Sequence, residues 1–194
     1  MSAVGAEKRA SGGDAPVAAV LFDRDGTLVV DVPYNGDPGR VQPVPGARAA
    51  LDVLRAAGIA TAVVSNQSGI ARGLLTAAQV DAVNARVEEL LGPLGPVLYC
   101  PHGPQDGCGC RKPEPGLVLD AAAALGVDPA DCVVVGDIGA DLDAAAAAGA
   151  GAVLVPTPVT RAEEVDRARR TPGVAVFYDL SQAVSGVLGR GRPC

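Results

Sequence analysis

Short runs of apolar residues recur along the chain, each closing at a small or polar residue. VAAVLFD (17–23), IATAVVS (59–65), PVLYC (96–100), CVVVGD (132–137) and GAVLVP (151–156) are too brief for ordinary helices. They read as strands buried on both faces, as in a parallel sheet, although periodicity alone leaves a short buried helix open. Helical patterns lie between them. PGARAALDVLRAAG (45–58) has Pro near its start and Gly at its end, as helix termini favour. TAAQVDAVNARVEELLG (76–92) opens with Thr76-x-x-Gln79, a capping-box pattern. GLVLDAAAALG (116–126) and GADLDAAAAAGA (139–150) follow, and GVAVFYD with LSQAVSGVLG adds a last strand and helix.

Strands alternating with helices predict right-handed crossovers and an α/β fold: a doubly wound, Rossmann-like parallel sheet with helices on both faces. Residues 17–189 form one domain. The polar stretch 1–16 is expected to be a disordered leader, and 190–194 a short tail. Hydrophobic residues make up 48% of the chain but aromatics only 3%. The core is therefore built from Ala, Val and Leu, small enough for helices to sit close to a sheet.

The net charge of −6 argues against a nucleic-acid backbone or an anionic membrane as partner. No apolar run reaches the roughly 18 residues of a membrane span, and the N-terminus lacks a secretory core. The expected location is the cytoplasm. Oligomeric state is left open, a monomer included.

Ligands of open parallel sheets bind beyond the carboxyl ends of the strands. The first strand ends in FDRDGT (22–27), placing Asp23 and Asp25 two residues apart with Gly26 to turn the backbone. Asp, Gly and Thr also form ordinary turns. The fourth strand, however, ends at Asp137, with Asp141 in the first turn of the next helix. Asp141 alone would suit a helix dipole. Asp23, Asp25 and Asp137 together form a cluster of like charges that a hard cation such as Mg²⁺ would relieve. The second strand ends in SNQSGIARG (65–73), where Ser65, Asn66, Gln67, Ser68 and flanking backbone donors form an anion cradle near Arg72. Lys112 brings a cation to the same edge. Such a set describes phosphoryl transfer.

The stretch YCPHGPQDGCGCRKPEPG (99–116) holds three of the five cysteines and the only histidine. Cys100, His102, Cys108 and Cys110 have the form C-x-H-x5-C-x-C, which suits a closed tetrahedral Zn²⁺ site. A disulfide or unrelated buried thiols are the other readings; a cytosolic setting and the polar spacing disfavour them. The expected role is structural: the metal stiffens a Gly- and Pro-rich loop that delivers Arg111 and Lys112. Cys132 reads as a core residue and Cys194 as an incidental thiol.

The ordered motifs DRDGT, SNQSG, RKP and GDxxxD resemble the haloacid dehalogenase superfamily of phosphatases, in its zinc-loop variant, over roughly residues 17–157. The resemblance implies that Asp23 is the nucleophile, Asp25 the general acid and base, and Ser65 and Lys112 the groups binding the transferring phosphoryl. It also implies Mg²⁺ held by Asp23, Asp137 and the Asp25 carbonyl, supported by Asp141. Asp31, Tyr34, Asn66, Gln67, Ser68, Arg72 and Arg111 are then expected to bind substrate, a phosphorylated small molecule. No gap between motifs holds a large cap domain, so local loops set specificity. The implied substrate is a heptose 1,7-bisphosphate, with histidinol phosphate as the alternative. Ile138 departs from the pattern, standing where a basic residue is common. A non-catalytic zinc-binding scaffold would lack Asp23, Asp25 or Lys112, and all three are present.

Overall fold

The computed structural model describes residues 17–189, so the expected leader, the tail and Cys194 lie outside the described residues. The elements are β1 (Ala19–Phe22), α1 (Ala47–Ala56), β2 (Ala60–Asn66), α2 (Ala77–Leu91), β3 (Val97–Cys100), α3 (Gly116–Leu125), β4 (Cys132–Gly136), α4 (Gly139–Ala148), β5 (Gly151–Leu154), α5 (Ala162–Arg170), β6 (Val174–Val176) and α6 (Leu180–Gly189). All six strands are parallel, in the order β3-β2-β1-β4-β5-β6.

Strand alternation sorts the core into two layers. Val20 and Phe22 of β1 pack with α1, α2 and α6, while Ala19 and Leu21 face α3, α4 and α5. All four are buried, as a central strand covered on both faces requires. Ala121, Ala122, Ala144 and Ala145 are buried on the second face, where methyl-sized side chains bring helices close to the sheet. At α2 the capping box forms: Thr76 Oγ1 accepts from Gln79 N–H at 3.2 Å, and Gln79 Oε1 accepts from Thr76 N–H at 2.9 Å.

The chain runs outward from β1 to β3, then returns to place β4 on the other side of β1. Connections diverge at β1/β4 and open a crevice there. The segments between β1 and β2 and between β2 and β3 hold loops, one 3₁₀ turn and single helices, with no large cap.

Helix α5 corrects the sequence reading, which passed over it. Its only buried residue is Ala168, so it carries almost no apolar stripe. The available signal was charge: Glu163 and Glu164 in the first turn, Arg167, Arg169 and Arg170 in the last, matching the helix dipole.

Candidate active site and metal centres

Asp23 leaves β1 still attached to the ladder, its N–H donating to the Val135 carbonyl at 2.9 Å. Asp137 leaves the neighbouring strand. Gly26 turns between them with φ +87°, and a Cβ there would strike the Asp137 carboxylate. Only glycine suits both the backbone angle and the close approach. Gly136 likewise leaves room for the Asp141 side chain.

Lys112 spans the crevice. Its Nζ lies 2.6 Å from Asp23 Oδ1, 2.6 Å from Asp141 Oδ1 and 2.8 Å from the Val64 carbonyl, which fills its three donors. The lysine is 3% exposed and Asp141 fully buried. Asp141 therefore does more than offset a helix dipole, although Oδ2 also accepts from Ile138 N–H at 3.2 Å. Burial pushes the Asp23 carboxyl up to about 8, with Asp141 and Asp25 adding to the rise against the pull of Lys112. The two carboxylates raise Lys112 further above its ordinary range despite its burial. Burial, then repulsion from Asp141, pushes Asp137 up to about 6.

Asp25 sits beside this cluster. Gln67 Nε2 donates to Asp25 Oδ2 at 2.8 Å and to Ser65 Oγ at 2.8 Å, tying the acid to the hydroxyl. Arg24 grips the same carboxylate, with Nη2 2.8 Å from Oδ2. Arg24 carries no signal of its own in the sequence, where it stands only as the residue between two acids. Thr157 and Thr160 were missed as well: Thr157 Oγ1 donates to Asp137 Oδ2 at 3.1 Å, and Thr160 Oγ1 to the Asp137 carbonyl at 2.6 Å. Both lie beyond β5, an edge without a recognised motif.

The four groups of the cysteine loop converge. Their sulfur–sulfur separations are 3.2, 3.5 and 3.6 Å, and His102 Nδ1 lies 3.5 Å from Cys100 Sγ and 3.3 Å from Cys110 Sγ. Tetrahedral zinc with Zn–S near 2.3 Å and Zn–N near 2.0 Å has edges of about 3.5–3.8 Å. The cluster could hold a metal ion, with all ligand atoms within 4.8 Å of one another. The loop packs on α3, where Gly116 N–H donates to the Gly109 carbonyl at 2.9 Å. Cys132 is buried in β4, as expected of a core residue.

A cleft of about 230 Å³ opens beside Asp25, lined in part by Asp31, Tyr34, Asn66, Gln67 and Ser68. Burial raises the Asp31 carboxyl, and Asp25 adds repulsion. Arg72 lies at the rim, donating to Tyr34 Oη at 2.8 Å. Arg111 donates to the His102 carbonyl at 3.3 Å, so its guanidinium lies along the cysteine loop. A larger groove of about 510 Å³ runs past Pro113 and Ile138. Its cations are already paired, Arg161 with Glu164 and Arg167 with Asp143, both at 2.8 Å. The smaller cleft is the one that meets the acids.

The acid set also fits a hard cation. Asp23 and Asp137 sit on adjacent strand ends, and burial together with repulsion from Asp141 raises both. A divalent ion would offset that repulsion with the ligands it prefers.

Among known proteins, residues 109–183 match the family described as HAD-hydrolase-like. The chain is 38% identical over 180 residues to D-glycero-β-D-manno-heptose-1,7-bisphosphate 7-phosphatase of Pseudomonas aeruginosa, covering 87% of this chain and 97% of the relative. It is 39% identical over 174 residues to the Bordetella bronchiseptica protein of the same description, covering 87% and 97%. Its backbone matches a crystal structure of D,D-heptose 1,7-bisphosphate phosphatase from B. bronchiseptica complexed with magnesium and phosphate. That match has TM-score 0.79 and 32% identity, covering 89% of this chain and 99% of the other.

Proposed function

This chain belongs to the haloacid dehalogenase superfamily of phosphatases, and we propose that it hydrolyses the 7-phosphate of D-glycero-D-manno-heptose 1,7-bisphosphate. The observation that carries the reading is the Lys112 bridge, which joins the acid ending β1 to the acid opening α4 through Nζ distances of 2.6 Å. Relatives named for that activity supply the substrate.

In this reading Asp23 attacks phosphorus through the carboxylate oxygen that Lys112 does not bind. The phosphorus–sugar oxygen bond breaks, and Asp25 gives a proton to the leaving alkoxide. Water then attacks the aspartyl-phosphate, Asp25 takes its proton, and phosphate leaves. A carboxylate and a phosphate dianion repel by about 4 kcal/mol per charge pair at 4 Å with an effective dielectric near 20. Lys112 and Ser65 meet that charge, the lysine already desolvated and aimed at the nucleophile. Asp23, Asp137 and the Asp25 carbonyl would hold Mg²⁺, whose charge neutralises developing negative charge on the phosphoryl oxygens. Cys100, His102, Cys108 and Cys110 would hold Zn²⁺, a closed set that leaves no open position for a water. Asp31, Tyr34, Ser68, Arg72 and Arg111 surround the departing sugar.

The deciding experiment measures phosphate release with Mg²⁺ from both anomers of the heptose bisphosphate, from heptose monophosphates and from histidinol phosphate. A bisphosphate should give the highest kcat/KM. Preference for histidinol phosphate would overturn the substrate, and no release from any phosphate monoester would overturn the reaction.

A further inference from the structure

Arg24 is a buried guanidinium that the reaction as drawn leaves without a task. Its side chain is 3% exposed, against 26% for Asp25. Its side-chain hydrogen bonds lead to Asp25 or to α2. Nε lies 3.1 Å from Asp25 Oδ1 and 3.2 Å from Oδ2, Nη2 lies 2.8 Å from Oδ2, and Nη1 donates to Asn84 Oδ1 at 2.6 Å. From the end of the neighbouring strand β2, Gln67 Nε2 reaches the same Oδ2 at 2.8 Å. The backbone is pinned too, because the Arg24 carbonyl accepts from Leu28 and Val29 N–H at 2.9 and 3.0 Å.

These contacts divide the carboxylate unequally. Oδ2 takes two short hydrogen bonds, which fills its two lone-pair directions. Oδ1 takes only the longer, shared contact from Nε and keeps a direction open. A planar fork on one side and an amide on the other also stop the carboxyl from rotating about its Cβ–Cγ bond. We propose that Arg24, braced by Asn84 and opposed by Gln67, is a positioning residue that presents Asp25 with Oδ1 as its proton-exchanging oxygen. The inference rests on the reading of Asp25 as acid and base. The proton leaves Oδ1 for the sugar oxygen as the phosphorus–oxygen bond breaks, and Oδ1 recovers a proton from water as the aspartyl-phosphate is cleaved. Arg24 keeps its charge throughout.

A positioning role and a merely structural one differ in how they depend on the leaving group. The parameter kcat/KM covers events up to expulsion of the leaving group. A sugar alkoxide needs the proton, whereas 4-nitrophenolate departs without it. Arg24→Lys keeps the charge and loses the fork; Asn84→Ala removes only the brace, at a partly exposed position on α2. Asp25→Asn provides the reference. With the sugar phosphate hydrolysed fastest, Arg24→Lys should lower kcat/KM by about a hundredfold and Asn84→Ala by about tenfold. On 4-nitrophenyl phosphate both should lose less than about threefold. Equal losses on the two substrates, with Asp25→Asn still biased toward the alkyl ester, would overturn the positioning role. Equal losses for Asp25→Asn itself would instead overturn the acid assignment beneath it. If Arg24→Lys does not fold by circular dichroism, the bias of Asn84→Ala decides.

Discussion

Asn66 closes a two-way hydrogen bond with the backbone of Lys112. Its amide donates to the Lys112 carbonyl at 2.9 Å, and its oxygen accepts from the Lys112 N–H at 3.1 Å. The sequence reading gave Asn66 to the substrate and the steadying of Lys112 to the cysteine loop alone. In the folded chain two supports meet on one residue: the last residue of β2 grips its backbone, and the cysteine cluster ends two residues before it.

Both supports can be removed separately. Asn66→Ala and Cys108→Ser should each lower kcat, by about tenfold to a hundredfold, because a misplacement near 1 Å costs about that much. The double mutant should lose less than the product of the two, since both act through the position of one ammonium. Additive losses would show that the two supports act on different groups. Cys108→Ser should also lose bound zinc, of which the wild-type protein should carry about one ion per chain by elemental analysis.

Asp23→Asn should abolish turnover while leaving the fold intact. The amide keeps the carboxylate's shape, and Lys112 retains Asp141 and the Val64 carbonyl as partners. The checks are phosphate release and a thermal melt on the same preparation. Appreciable release would remove Asp23 as nucleophile.

Stability without divalent metal should fall as pH rises from 5 to 8. Asp137 is raised from 3.8 to about 6, and burial raises Asp23 as well, so the folded state binds more protons than the unfolded state in the lower part of this window. The free energy of unfolding then declines until the folded value is passed. Mg²⁺ would replace the missing protons, so it should raise the melting temperature more at pH 8 than at pH 5. An equal increment at both values would contradict a cation held by these acids.

Arg111→Ala should raise KM for bisphosphates more than for monophosphates, by about tenfold or more, because a charge-assisted hydrogen bond to the second phosphate is lost. Lys112→Ala should instead lower kcat on every substrate. Equal KM effects on both substrate classes would return Arg111 to its observed contact with the His102 carbonyl as its whole role.

Much of the architecture was legible because short-range rules fix it. Uninterrupted Val and Ala runs bounded by turn residues become buried parallel strands, and Thr76 with Gln79 caps α2 as their spacing requires. The acids at the ends of β1 and β4 and the C-x-H-x5-C-x-C spacing were visible for the same reason: each is a local pattern of residue types. Helix α5 was not, because its place depends on an ion pair with α4 and on one buried alanine.

Tertiary structure decided which polar groups serve the substrate and which serve the site itself. Asn66 and Gln67 occupy one short motif, yet one holds the Lys112 backbone and the other joins Ser65 to Asp25. Arg24 reads as a spacer between two acids until α2 brings Asn84 within 2.6 Å of it. These contacts span 42 to 60 residues in several cases. The sequence specifies the donors and acceptors, but a hydrogen bond depends on distance and angle, and only the packed sheet edge sets those.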